Sequence, residues 1–334
     1  MHISSLGSSV DPRLNRHERR VWDMVSTSPL YSLWNLQGVP VHVVATRIWK
    51  SVMEDRIFGH AAELGFYFLF ALFPTLLCAG SVLGLAARSA FRIYDRLLDY
   101  LALVIPTSAL GTVLDTFNET TAASTSGKAT FGLIAAVWSA SVGISAIQDT
   151  LNVVYKVQET RSYIKARIYA IGLTILLTLI VSLGLASMFG GDFTAAWERR
   201  WIHDDFLYAV AALAARIAGW ALAALFLALS FAVLYYWAPD LRMRRWHWLT
   251  PGGVIGIVGW LAASLGLRGY LHFFNNYSVA YGSLGAVIIL LTWFYMTGLM
   301  LLLGAEINSQ IEAAAVERRV GDTPSPSPSP QVVE

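Results

Sequence analysis

The chain has 334 residues, 56% of them hydrophobic and 14% charged, with a mean hydropathy of +0.54. A soluble domain carries roughly 25% charged residues, so a water-soluble globule of this length is excluded. The formal net charge of +2 gives no reason to expect nucleic acid as a partner, and the single cysteine, Cys78, excludes an intrachain disulfide. No Cys/His zinc spacing occurs.

Residues 1–40 read as a basic arm (Arg13, Arg16, Arg19, Arg20) without the apolar core of a signal peptide, expected to be partly disordered. Val41 to Phe58 is amphipathic. Val41, Val44, Ala45, Ile48, Val52 and Met53 recur at helical spacing, while Arg47, Lys50 and Glu54 fall largely elsewhere. This predicts an elbow helix lying on the inner membrane surface; the alternative is a soluble extension of the first span.

A spanning helix needs about 20 apolar residues, and backbone groups in lipid must bond within their own segment. Six stretches meet or approach that length, predicting an all-α polytopic membrane protein. The first, about 64–87, carries Pro74, which frees the carbonyl of Phe70 and should kink the helix. Between the first two spans, Phe91, Tyr94, Leu97, Leu98 and Leu101 share one face before Pro106. Asp95, Asp99, Asp115 and Glu119 argue against a crossing, so residues 89–126 are expected to form an external helical hairpin. The second span, about 129–155, ends in Gln148, Asp149 and Asn152. The third covers about 168–191. The fourth, about 206–238, is interrupted only by Arg216. The fifth, about 249–267, opens with Thr250-Pro251 as N-cap and first position. Its Gly252, Gly256 and Gly259 permit close helix contact. The sixth, about 279–308, ends at Glu306 and Asn308. These make a membrane domain over 41–310. Residues 311–334 hold a Pro-Ser repeat (Thr323 to Pro330) and are expected to be disordered.

Basic residues set the orientation. Sixteen of the 24 Lys and Arg fall in the arm, the 156–167 loop, the 242–245 turn and the tail, against seven on the opposite side. The positive-inside rule then puts both termini in the cytoplasm.

Three stretches carry a family resemblance: "HAAELGFYFLFALFP" (60–74), "FGLIAAVWSASVGISAIQDTLNVVYKVQETR" (131–161) and "YGSLGAVIILLTWFYMTGLMLLLGAEIN" (281–308). With Pro239 and the turn "RMRRW", these resemble the YihY/BrkB family of bacterial inner-membrane proteins over about residues 45–310. One departure is Glu63, where the family pattern has a small or apolar residue. The resemblance implies a multi-pass inner-membrane protein. It brings associations with virulence and serum resistance, with lipid or lipopolysaccharide export in one branch, and an older ribonuclease label.

Intramembrane polar groups are expensive and therefore serve as pointers to function. Glu63, Gln148, Asp149, Asn152, Glu306 and Asn308 should lie at one level, near the cytoplasmic boundary. There they form either a mouth for a substrate or ion, or ordinary helix-end charges tying loops together. Within its full run, Arg216 lies about 15 Å deep at 1.5 Å per residue, a buried cation able to hold an anionic headgroup. Yet Ile217 to Ala238 can span alone, leaving Arg216 at the interface.

No P-loop is present, and the seven histidines form no metal pair. The expected function is a transporter or flippase of lipid or another amphiphile, without cofactor, nucleotide or nucleic acid and without catalytic residues. The alternative is a scaffold linked to envelope integrity. Membrane lipids are the expected partners, with a homo-oligomer as an open alternative.

Overall fold

A computed structural model of the chain describes residues 10–27, 33–34, 39–85, 126–198, 204–243, 245–273 and 283–321. The hairpin expected over 89–126 and the Pro-Ser repeat lie outside the described residues. Those described form eight helices: α1 (Arg16–Thr27), α2 (Val41–Glu54), α3 (Ile57–Leu85), α4 (Ser126–Val154), α5 (Tyr163–Glu198), α6 (Asp205–Trp237), α7 (Pro251–Phe273) and α8 (Ser283–Gly321). Helices α3 to α8 are six helices long and apolar enough to cross a membrane. Their exposed surface includes Phe66, Phe70, Ile175, Leu179, Leu213, Ile217 and Val258. So much contiguous apolar surface suits lipid as its solvent, not water.

The six pack in a ring in sequence order. α3 lies along α4 and α8, α8 along α7, and α5 along α6. Small residues set the closest approaches. A methyl group built on Gly65 would stand 3.1 Å from the Tyr295 amide nitrogen, and one on Gly298 would stand 3.1 Å from the Leu64 Cβ, fixing α3 against α8. One built on Gly252 would overlap the Gly304 carbonyl oxygen, so α7 and α8 cross backbone to backbone. Where α6 meets α7, Phe231 and Tyr235 stand against Gly253 and Gly256. Over residues 205–229, α6 buries only Ala212 and Gly219.

That end of the ring, here called the base, gathers α1, α2 and the ends of α4 and α8. Helix α1 begins with a reciprocal capping box: the Glu18 amide donates to Asn15 Oδ1 (2.8 Å) and the Asn15 amide to Glu18 Oε2 (3.0 Å). Its Val21, Trp22 and Val25 enter the main core, an ordered element within the arm that apolar patterning did not reveal. Helix α2 divides its apolar residues between two faces. Val44, Ile48 and Val52 pack inward, while Val41, Ala45, Trp49 and Met53, spaced by four, are exposed.

Two ends differ from expectation. Helix α3 starts at Ile57, straight after Arg56 in the left-handed region (φ 53°). Helix α8 continues to Gly321 instead of stopping at 308, because Ile311 and Ala313 to Val316 are buried against α1 and α2. Residues 311–321, expected to be disordered, are thus helical.

Candidate functional site

The base contains a layer of buried polar side chains in three adjoining groups. The first is built on Asn152, near the end of α4. Its Oδ1 accepts from the Asp240 amide (2.7 Å) and its Nδ2 donates to Glu159 Oε2 (2.9 Å). Arg161 grips the Glu159 carboxylate through Nε and Nη2, both at 2.6 Å, and donates to the Ala238 carbonyl (3.2 Å). Thr160 donates to Asp240 from its amide and its hydroxyl. The hydrogen bond to Glu159 outweighs burial and raises the Arg161 pKa above its already high value, so this cation is permanent. Asp149 is exposed and lies within electrostatic reach of Glu159, Glu63 and Arg161. Glu63 is also exposed, with His60 Nδ1 at 3.4 Å.

The second group is built on Glu306, which has 0% exposure. Gln310 Nε2 donates to its Oε1 (3.0 Å) and also to Ser51 Oγ (3.0 Å). Ser51 donates to Asp55 Oδ2 (3.1 Å), and Asp55 pairs with Lys156. Glu306 Oε2 has no hydrogen-bond partner. This chain fastens α2 and the end of α4 to α8. Lys156 follows α4 with φ 54°, so the ion pair holds a residue in the left-handed region.

The third group is built on Asn308. Its Oδ1 accepts from the Gly252 amide and its Nδ2 donates to Thr250 Oγ1, both at 2.9 Å. Thr250 caps α7 by accepting from the Gly253 amide (2.9 Å). Beside them a cavity of about 40 Å³ is lined by Tyr155, Tyr235, Thr250, Asn308 and Glu312.

Of the residues singled out from sequence, Asp149 lies within electrostatic reach of both Glu63 and Arg161, and Asn152 joins Arg161 through Glu159. Glu306 and Asn308 each anchor a group of their own. Arg216 lies elsewhere. It is exposed, on the stretch of α6 that packs chiefly on α5, away from the base. Ser51, Asp55, Lys156, Glu159 and Asp240 complete the groups. Ser51 lies within α2 and the others in corners and loops, where apolar patterning gives no signal.

Outside the layer, a cleft of about 380 Å³ separates α1, α2 and α8, lined in part by His17, Arg47, Lys50 and Glu317. Its charges are largely matched: Arg47 and His17 meet Glu317, and Lys50 meets Glu54. Among the described residues no three His, Cys, Asp or Glu side chains are grouped so as to hold a metal ion.

Residues 48–328 match the family model described as "Virulence factor BrkB". The chain is 35% identical over 258 residues to the "Putative ribonuclease-like protein YfkH" of Bacillus subtilis (strain 168), covering 75% of this chain and 88% of that protein. It is 28% identical over 277 residues to a "UPF0761 membrane protein" of Stenotrophomonas maltophilia (strain R551-3), covering 80% of this chain and 60% of that one. It is 29% identical over 274 residues to the "UPF0761 membrane protein xcc-b100_3490" of Xanthomonas campestris pv. campestris (strain B100), with the same 80% and 60% coverage. The chain thus spans less than two thirds of these last two relatives. No solved structure matches it.

Proposed function

The chain belongs to the virulence factor BrkB family of membrane proteins, and within it we propose that this protein moves an amphiphilic, lipid-like substrate across or within the bacterial inner membrane. One observation carries this reading. Helices α6 and α7 are clasped at the base by Tyr235 and Phe231 against Gly253 and Gly256, whereas α6 over residues 205–229 buries only two residues. Among the described residues α6 and α7 make the sparsest contact between neighbours in the ring, which supports sideways entry of an acyl chain from the bilayer between them.

The base is taken to face the cytoplasm, since it holds most of the arginines and lysines. The exposed stripe Val41, Ala45, Trp49 and Met53 supports α2 lying in the interface, with Trp49 at headgroup level. The name of the Bacillus relative speaks of a ribonuclease in that protein.

The test is reconstitution of the full chain into liposomes carrying headgroup-labelled lipids, with an impermeant reagent reporting the outer leaflet. Faster redistribution of at least one lipid than in protein-free vesicles is the expected result. Unchanged distribution across anionic and zwitterionic headgroups contradicts the reading.

A further inference from the structure

Helix α4 turns a narrow polar face toward α5. Trp138, Ser141, Ser145, Gln148 and Asn152 alternate at spacings of three and four, which places them on one side of the helix. That face runs about 21 Å along the axis at 1.5 Å per residue. Two guanidinium groups meet it from the segment that follows, Arg161 near Asn152 and Arg167 near Ser145.

Arg167 Nη1 donates to Ser145 Oγ (3.3 Å) and Nη2 to the Trp138 carbonyl (3.4 Å), with Cζ 4.3 Å from the centre of the Trp138 ring. No carboxylate in the described structure pairs with it. Its Nε is buried without an acceptor. Gln148, with 2% exposure, lies between the two arginines along the face, and its Nε2 also lacks an acceptor. Arg161, with 9% of its side chain exposed, has Nη1 buried without an acceptor as well. Three buried donors along one seam thus share the same deficiency. The carboxylates gather at the Arg161 end, where Glu159 and Asp240 match its charge; the Arg167 end has none.

We infer that the α4–α5 seam binds a phosphate group, with Arg167 as its cation and Gln148 as a second donor. This inference rests on the lipid-handling reading for its substrate class and extends it to a phosphate-bearing headgroup. The guanidinium supplies the fork that phosphate oxygens accept from. Trp138 holds the guanidinium plane by stacking and is itself exposed, at the edge of the seam. A phospholipid headgroup and a free phosphate satisfy the same donors.

The test uses the full chain in mild detergent. Native mass spectrometry reads its binding of dimyristoyl phosphatidylglycerol, of dimyristoyl glycerol without phosphate, and of inorganic phosphate. The phospholipid should bind at least about tenfold more tightly than the diacylglycerol, the factor of one charge-assisted hydrogen bond. Arg167→Gln should abolish that difference and Gln148→Leu should reduce it. Gln148→Leu removes an unsatisfied buried group, so it does not threaten folding. Arg167-dependent binding of inorganic phosphate, with the phospholipid no tighter, supports the site and identifies its anion as free phosphate. Both variants binding all phosphate probes as the native chain does overturns the inference. If this binding holds while liposome redistribution fails, only the transport reading falls.

Discussion

Replacing Lys156 tests how the base is held together. Its ammonium pairs with Asp55, and the two side chains are 16% and 7% exposed. Lys156→Met leaves Asp55 with the Ser51 hydroxyl, at 3.1 Å, as its remaining hydrogen-bond partner. Breaking a buried pair by removing one partner costs about 3–5 kcal/mol. The surviving hydroxyl sets the expectation near the lower end, about 3 kcal/mol. Lys156→Gly loses the same pair, but φ at this position is 54°. A left-handed backbone costs a side-chain-bearing residue roughly 1–2 kcal/mol, and glycine is spared that cost. The net loss for glycine is then about 1–2 kcal/mol. Glycine should therefore be the milder change, and Lys156→Met combined with Asp55→Asn should recover most of the loss because position 55 no longer carries an unpaired charge. Equilibrium unfolding in mixed micelles with increasing SDS, followed by helicity, measures all three. Lys156→Met within about 0.5 kcal/mol of the native chain, or Lys156→Gly as damaging as Lys156→Met, would refute the reasoning.

Three further outcomes follow from the packing. Gly252→Ala drives a methyl group into the Gly304 carbonyl and the Asn308 amide, so it should lower stability by about 1–3 kcal/mol, whereas Gly266→Ala, with open space around it, should not; the same unfolding assay separates them. Asn152→Ala removes the acceptor of the Asp240 amide and a donor to Glu159, at a cost of about 1–3 kcal/mol, and should speed proteolysis of the 156–162 loop in detergent. Arg216→Gln, at an exposed position on α6, should change stability by no more than about 0.5 kcal/mol, and a larger loss in the same unfolding assay would contradict this.

The membrane-spanning body was legible in the sequence because an uncharged run of about 20 residues has few other uses. Its ends were less so. Helix α3 begins at Ile57 and α8 runs to Gly321, since tertiary burial of residues such as Ala61 and Ala315 extends a helix beyond its apolar run. Helix α1 escaped notice because six of its twelve residues are charged or His, although the box formed by Asn15 and Glu18 was readable. At the base, Asn152, Glu306 and Asn308 were found because amides and carboxylates at helix ends within apolar runs stand out. Thr250 and Gly252, which meet Asn308, were read only as a helix cap and a packing glycine, and the other partners gave no signal. Ser51 is 259 residues from Gln310, Lys156 is 101 from Asp55, and Asp240 is 80 from Thr160, separations that only the closed ring of helices brings together. Arg216 drew notice for the same reason as the others, yet the lone charge in its run sits on exposed surface.

The placement of substrate entry, headgroup site and polar layer depends on which side of the membrane the base faces. With Cys78 replaced, single cysteines at Ser162, in the base loop, and at Asp205, at the opposite end of α6, can be challenged in intact cells with a membrane-impermeant maleimide. Reaction at Asp205→Cys and protection of Ser162→Cys until the cells are lysed is the expected result. Labelling of Ser162→Cys in unbroken cells would contradict the orientation and the functional reading drawn from it.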